Sequence, residues 1–182
     1  MNNLVEIIAV IFSLLSVVFA VKNHIYTWPT AIIGVTFYGI FFYQNHIWGN
    51  MFLQAPFLIQ SIYGWSKWEV VEDNKVEWLE KHDRNILAIS SFLLTAFITF
   101  ILIMTGDKSP YFDGITTSFS LIAMTLLAKK KIDTWLYWII ADIMFIIFFL
   151  NEEQYLSVIT YFVFLLLAIT GLKQWKKNIK TD

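Results

Sequence analysis

The chain has 182 residues, of which 58% are hydrophobic, 18% aromatic and only 15% charged, with a formal net charge of −1. A mean hydropathy of +0.62 sets it apart from soluble domains, in which roughly 25% of residues are charged, and predicts a polytopic membrane protein with no call for a nucleic-acid partner. Cysteine is absent, which excludes disulfides and thiolate metal sites.

A hydrocarbon core about 30 Å thick asks for about 20 mostly apolar residues per helix, fewer where polar groups flank the helix. The first such segment, 4–21, has no basic residue before Leu4 and no small-x-small cleavage pattern after it, so it is expected to be a retained helix rather than a signal peptide. Lys22-Asn23-His24 closes it. Segment 27–43 opens on Thr27-Trp28-Pro29, a cap residue with a proline in the first turn, where its missing N–H costs nothing. After Gln44-Asn45-His46, segment 51–65 carries Gln54, Pro56 and Gln60. A charged stretch from Glu69 to Arg84 reads as a solvated loop, and segments 86–105, 111–128, 134–150 and 155–172 follow. They are separated by Thr105-Gly106-Asp107, by Lys129-Lys130-Lys131 and by Asn151-Glu152-Glu153, and a basic tail ends the chain. The expected class is all-α, with seven transmembrane helices.

A shift of 107 positions aligns the chain with itself without a gap. Trp28 falls on Trp135, Gly64 on Gly171 and Trp68 on Trp175, and roughly 18 of about 65 positions from 4 to 68 are identical, more than shared apolar composition explains. Three segments, one linker segment and three more make a parallel 3+1+3 duplication, one of the symmetries used by solute carriers. The predicted units are a first bundle over 1–68, a loop and linker helix over 69–110, and a second bundle with its tail over 111–182.

Lysine and arginine favour cytoplasmic loops. Lys22, Lys67, Lys75, Lys81, Arg84, Lys129, Lys130, Lys131, Lys173, Lys176, Lys177 and Lys180 fall on one face and Lys108 alone on the other. The N-terminus is therefore expected outside and the C-terminus inside.

Departures from the repeat point to a site. Asp142, at the middle of the sixth segment, stands where the first half has Val35, and a carboxylate at that depth is costly unless it faces the bundle interior or water and finds a partner. Trp135 and Trp138 lie on the same helical face, and two indoles beside an acid suit a flat cationic ring. Trp135 equally fits an interfacial belt, and Asp142 an interhelical anchor. Gln54 and Gln60 can donate and accept towards hydroxyls or an amide, with interhelical glue as the competing reading, and Thr116, Thr117 and Ser120 add hydroxyls on the fifth segment, with Tyr38, Thr36 and Tyr161 as weaker candidates. His24, His46 and His82 sit in separate loops without ligand spacing, so no metal site is expected. No phosphate loop, nucleophile triad or metalloprotease motif is present, so neither catalysis nor a cofactor is expected.

Trp28-Pro29, Gly34-Val35 with Tyr38 and Tyr43, Leu53-Gln54 and Tyr63-Gly64-Trp65-x-x-Trp68 stand in the first half. The second has Asp113-Gly114-Ile115-Thr116-Thr117, Ser120-Leu121-Ile122-Ala123, Lys129-Lys130, Trp135-x-x-Trp138-Ile139 with Asp142, and Gly171-x-x-x-Trp175. Over nearly its whole length the chain resembles the PnuC family of nicotinamide riboside transporters. The resemblance implies two three-helix bundles joined by a linker helix, related in architecture to SWEET sugar carriers. It further implies a vitamin precursor bound near the midplane, facilitated diffusion in the inner membrane, trapping by a cytoplasmic kinase, and a homotrimer. Carried over by position, the ring-binding pair is Trp135 and Trp138, the polar group of the sixth helix is Asp142, and the glutamine of the third is Gln54. Met124, Leu150 and Pro56 depart from the family pattern and bear on which precursor is carried: nicotinamide riboside first, thiamine second. A neutral-sugar carrier and a non-transporting membrane subunit are the competing readings of the residues themselves.

Overall fold

The computed structural model describes residues 2–46, 48–70 and 75–179, and residues 71–74 of the charged loop and Lys180 of the tail lie outside them. Seven helices occupy the predicted segments: α1 (Asn2–Val21), α2 (Thr27–Gln44), α3 (Trp48–Val70), α4 (Lys81–Met104), α5 (Pro110–Ala128), α6 (Thr134–Asn151) and α7 (Tyr155–Ile179). No strand is present among the described residues, only an isolated bridge between Glu77 and Lys131. Five helices, α1, α4, α5, α6 and α7, are long and apolar enough to cross a membrane on their own composition. α2 and α3 dilute their apolar residues with threonine, glutamine, serine and proline, so tertiary packing has to shelter what lipid alone would not.

The 107-residue offset is written into the backbone. α1 and α5 end at Val21 and Ala128, α2 and α6 span Thr27–Gln44 and Thr134–Asn151, and α3 and α7 begin at Trp48 and Tyr155. The left-handed residues that close these helices also correspond, Asn23 (φ 51°) with Lys130 (φ 52°) and His46 (φ 58°) with Glu153 (φ 56°). Non-glycine residues adopt this conformation seldom, so matched pairs at one spacing mark the same turn built twice.

Around the bundle α1 packs on α2, α2 on α3, α3 on α5, α5 on α6, α6 on α7 and α7 back on α1, while α4 lies outside against α5. α4 explains a difference in composition. Its Thr99 approaches Gly114 so closely that a Cβ there would stand 2.1 Å from the threonine hydroxyl, and the next turn of α5 presents buried Ser118. At the corresponding places α1 carries Ile7 and Ile11, which are 53% and 48% exposed on an uncovered helix face. Small residues thus mark where a helix is covered, and branched ones where it meets the surrounding medium.

The buried hydrophobic core gathers at the lysine-rich end. Trp28 meets Trp68 edge-on at 5.2 Å between centroids, and Trp135 meets Trp175 in the same way at 5.3 Å. Behind these rings stand Gly64 and Gly171, where a Cβ would come within 2.4 and 2.5 Å of the indoles of Trp28 and Trp135. Each pair then reaches across to the other three-helix set. The Trp68 Nε1–H donates to the Ala128 carbonyl at 3.1 Å, and the Trp175 Nε1–H is shared between the carbonyls of Ala20 and Val21 at 3.1 and 3.2 Å.

Residues 75–80 form a strap over this end. Glu77 exchanges backbone hydrogen bonds with Lys130 and Ile132 and forms a salt bridge with Lys131. Trp78 has Arg84 and Lys176 at 5.2 Å from its ring, and Lys130 lies 5.2 Å from the ring of Trp68. Burial pushes the Lys130 ammonium below the ordinary lysine value. Asp133 accepts from the Leu79 N–H at 2.8 Å and from Arg84 Nε at 2.9 Å. Its carboxylate is nearly enclosed while Arg84 is half exposed, so the backbone contact carries more weight than the ion pair. We predict that Asp133→Ala lowers stability by about 1–3 kcal/mol, read as a drop in the melting temperature of the detergent-solubilised protein; an unchanged melting temperature would show the strap to be incidental.

Candidate functional site

α6 holds the centre of the candidate site. It has 18 residues, of which Asp142 is the ninth, so the carboxylate stands near the middle of a rod about 27 Å long. The side chain is 5% exposed, and no hydrogen bond or ion pair to it is present among the described residues. A buried carboxylate without a partner is costly. Its neighbours are phenols: Tyr161 on α7 is within electrostatic reach of both Asp142 and Tyr38 on α2, and Tyr38 is in turn within reach of Glu6 on α1. Polar side chains of four helices thus lie within electrostatic reach of one another.

Aromatic rings frame it. Tyr161 stacks on Phe145 at 4.3 Å and 20° and continues to Phe149 at 5.4 Å and 18°. Tyr38 stacks on Phe42 at 5.8 Å and 16°. One turn before Asp142, on the same helix face, lies Trp138, part-buried where it packs on the core.

The other predicted residues fall into distinct environments. Trp135 is 1% exposed, its ring held between Trp175 and Gly171 and its Nε1 without a hydrogen-bond partner. Its repeat counterpart Trp28 has the same enclosure and the same unpartnered Nε1. The two indoles thus share a packing role, whereas Trp138, one turn further on, stands where the first half has Ala31. Gln54 on α3 faces Gly39 of α2, whose added Cβ would sit 3.9 Å from the Gln54 Cβ, and Gln54 corresponds in the repeat to Tyr161. Thr116 and Ser120 are buried on α5 and donate back to their own helix, to the carbonyls of Phe112 and Thr116 at 2.9 and 2.8 Å, which leaves their oxygens as acceptors. Thr117 is half-buried on the adjacent face.

The sequence singles out Tyr161 as a weaker candidate and Gln60 as a recognition group or interhelical glue, but not the partners of either. Tyr161 joins Asp142 only through the fold, α6 and α7 being antiparallel neighbours, although its departure from Gln54 under the repeat was a usable signal. Gln60 donates to Thr125 and to the Leu121 carbonyl on α5, a contact between distant segments that no local spacing reveals. No group of three or more potential metal ligands occurs among the described residues.

The bundle is asymmetric from end to end. Indoles, small apolar residues and the strap fill the lysine-rich end, whereas the polar and phenolic groups begin at mid-helix and extend towards the opposite one. What the arrangement offers chemically is a carboxylate at half the length of α6 with stacked aromatic rings beside it.

A family model described as nicotinamide mononucleotide transporter matches residues 3–177. The nicotinamide riboside transporter PnuC of Escherichia coli is 24% identical over 201 residues, covering 94% of this chain and 84% of its own length. That of Neisseria mucosa is also 24% identical, over 189 residues, with 95% and 72% covered. A crystal structure of the vitamin B3 transporter PnuC superposes with a TM-score of 0.80 at 21% identity, covering 98% of this chain and 83% of that one. With the match running almost from end to end, and several helices apolar enough to span a bilayer, this multi-pass membrane protein belongs to the nicotinamide mononucleotide transporter family, that of the PnuC proteins.

Proposed function

We propose that the protein imports nicotinamide riboside across the inner membrane by facilitated diffusion, with its N-terminus outside, its lysine-rich end in the cytoplasm, and inward flux maintained by phosphorylation of the solute by a cytoplasmic kinase. The observation that carries this reading is the buried, unpartnered carboxylate of Asp142 one turn from Trp138. Nicotinamide riboside presents a planar pyridinium, whose positive charge answers the carboxylate and whose face suits an indole. Its amide and ribose hydroxyls match Gln54, Tyr38 and Thr117, which can donate and accept, and Thr116 and Ser120, whose oxygens are left as acceptors. Trp135 backs Trp138 from within the core. Named relatives that carry nicotinamide riboside agree with this choice.

In this reading 1–68 and 111–182 are the two bundles of a parallel 3+1+3, SWEET-like carrier with 69–110 as linker, and they rock about a fixed midplane site. A homotrimer is the proposed assembly. Calorimetric titration of purified protein with nicotinamide riboside, thiamine and riboflavin, paired with uptake into proteoliposomes, tests it. Nicotinamide riboside should bind most tightly and be taken up. Preference for thiamine would reassign the cation, strong riboflavin or sugar binding would remove the electrostatic argument, and binding without flux would indicate a receptor. Trp138→Ala should weaken nicotinamide riboside binding by roughly 3- to 30-fold, the equivalent of about 0.7–2 kcal/mol, and unchanged affinity in the same titration would exclude the indole from the ring site.

A further inference from the structure

Two seams join α1–α3 to α5–α7: α3 against α5, and α7 against α1. The 107-residue offset carries one seam onto the other, and both have an indole-to-carbonyl hydrogen bond at the lysine-rich end. One turn further into the bundle they differ. On the α3–α5 seam Gln60 Nε2 donates to the Leu121 carbonyl at 3.0 Å and to Thr125 Oγ1 at 2.9 Å, while the Thr125 hydroxyl donates to the same carbonyl at 2.9 Å. The corresponding residues of the α1–α7 seam are Val18 and Leu167. Neither Val18 nor Leu167 carries a side chain that could make the bonds of Gln60 and Thr125.

The physical consequence is a difference in what separation costs. Parting α3 from α5 strips Gln60 and Thr125 of their partners at a depth where water does not replace them. Parting α1 from α7 exchanges apolar contacts for contacts with lipid or solute. α4 adds to the imbalance, since Ser91 bonds the Tyr137 hydroxyl at 3.1 Å, Thr99 packs on Gly114 and Arg84 pairs with Asp133. Helices α4 to α7 are thereby bound into one body, with the strap fastened to the same side.

We infer that the α3–α5 seam is the hinge of the transport cycle and the α1–α7 seam the one that opens, with Gln60 and Thr125 as positioning residues that hold the hinge. The inference rests on the transport reading above. Opening at α1–α7 uncovers the cluster of Tyr38, Tyr161 and Asp142, because α2, α6 and α7 flank that seam. A hinge fixed by the side-chain hydrogen bonds of Gln60 and Thr125 lets the Trp175 contact on the other seam break and re-form while the halves stay aligned.

The natural absence of cysteine makes the test direct. Paired substitutions Val18→Cys with Leu167→Cys and, leaving Gln60 and Thr125 in place, Phe57→Cys with Leu121→Cys one turn away on the α3–α5 seam are made in the full chain, in proteoliposomes. Spin-label distances across each seam report the motion without reference to flux. Two populations are expected across α1–α7, shifting with nicotinamide riboside, and one narrow population across α3–α5. A short bifunctional thiol cross-linker then lowers uptake by at least about tenfold when it bridges α1–α7 and leaves it within about twofold when it bridges α3–α5. Gln60→Leu in the α3–α5 reporter pair supplies the complementary readout: it should broaden the α3–α5 distances, and Gln60→Asn, which keeps an amide donor, should broaden them less. Equal motion at both seams, or a larger motion at α3–α5, overturns the inference. Two populations at α1–α7 without uptake of any tested solute would instead count against the transport reading and leave the hinge standing.

Discussion

Asp142→Asn is expected to weaken binding of nicotinamide riboside by roughly 10- to 100-fold, about 1.4–2.8 kcal/mol. Two unit charges about 5 Å apart attract by roughly 3 kcal/mol at an effective dielectric constant near 20, and part of that is offset because the carboxylate gives up its residual solvation when the ligand arrives. Asparagine keeps the shape and removes the charge. The neutral 1,4-dihydropyridine form of the same riboside keeps the ribose and amide and lacks the cation, so its affinity should be nearly equal in the parent and the variant. Titration of both ligands separates the possibilities. If the cation binds the variant undiminished, the carboxylate is not its counter-charge. If both ligands lose affinity equally, Asp142 acts as an anchor between helices.

Gly171→Ala is expected to cost about 1–3 kcal/mol, near the top of that range, and to lower the melting temperature by roughly 5–10 °C. The added methyl would stand 2.5 Å from an indole that is itself closed in by Trp175, so either α7 or the Trp135 ring has to move. Gly64→Ala should behave alike, because its methyl would meet Trp28 at 2.4 Å under Trp68. Gly39→Ala is the control: its nearest neighbour would be 3.9 Å away, an ordinary contact, and alanine favours the helix. A double-mutant cycle of Gly171→Ala with Trp135→Leu should recover part of the loss, since the smaller side chain makes room. Additive losses would mean that the strain lies elsewhere, and an unaltered melting temperature for Gly171→Ala would remove the tight indole packing altogether.

The helices were legible because hydropathy and turn residues are local. The same Lys-x-x turn after α1 and α5, and the same polar triplet after α2 and α6, bound helices of matching ends. α2 and α3 were legible as apolar segments between turn residues although their own composition falls short of an autonomous span, and the repeat gave them the same register as their partners in the second half. Asp142 stood out because a charge at mid-helix carries a large solvation cost whatever surrounds it. Trp135 and Trp138 looked equivalent by spacing, and three residues of separation could not tell that one ring is closed in by Trp175 while the other is only part-buried. That distinction depends on α7, more than 30 residues away in sequence. The strap was unreadable for a similar reason: Glu77, Trp78 and Leu79 look like any solvated loop until Lys131, Lys176 and Asp133 are brought beneath them.

The crossed indoles have a consequence for how such a chain can be assembled. Trp68 finds its acceptor only at the end of α5 and Trp175 only at the end of α1, so neither three-helix set satisfies its own last tryptophan. Two copies of a single half-length polypeptide, related by a twofold axis, would meet both demands with one kind of contact. The full-length protein holds that self-complementary contact within one molecule, where tethering replaces the concentration dependence of a dimer. It has also freed the two sides to diverge, so that one could acquire Asp142 where the other kept Val35.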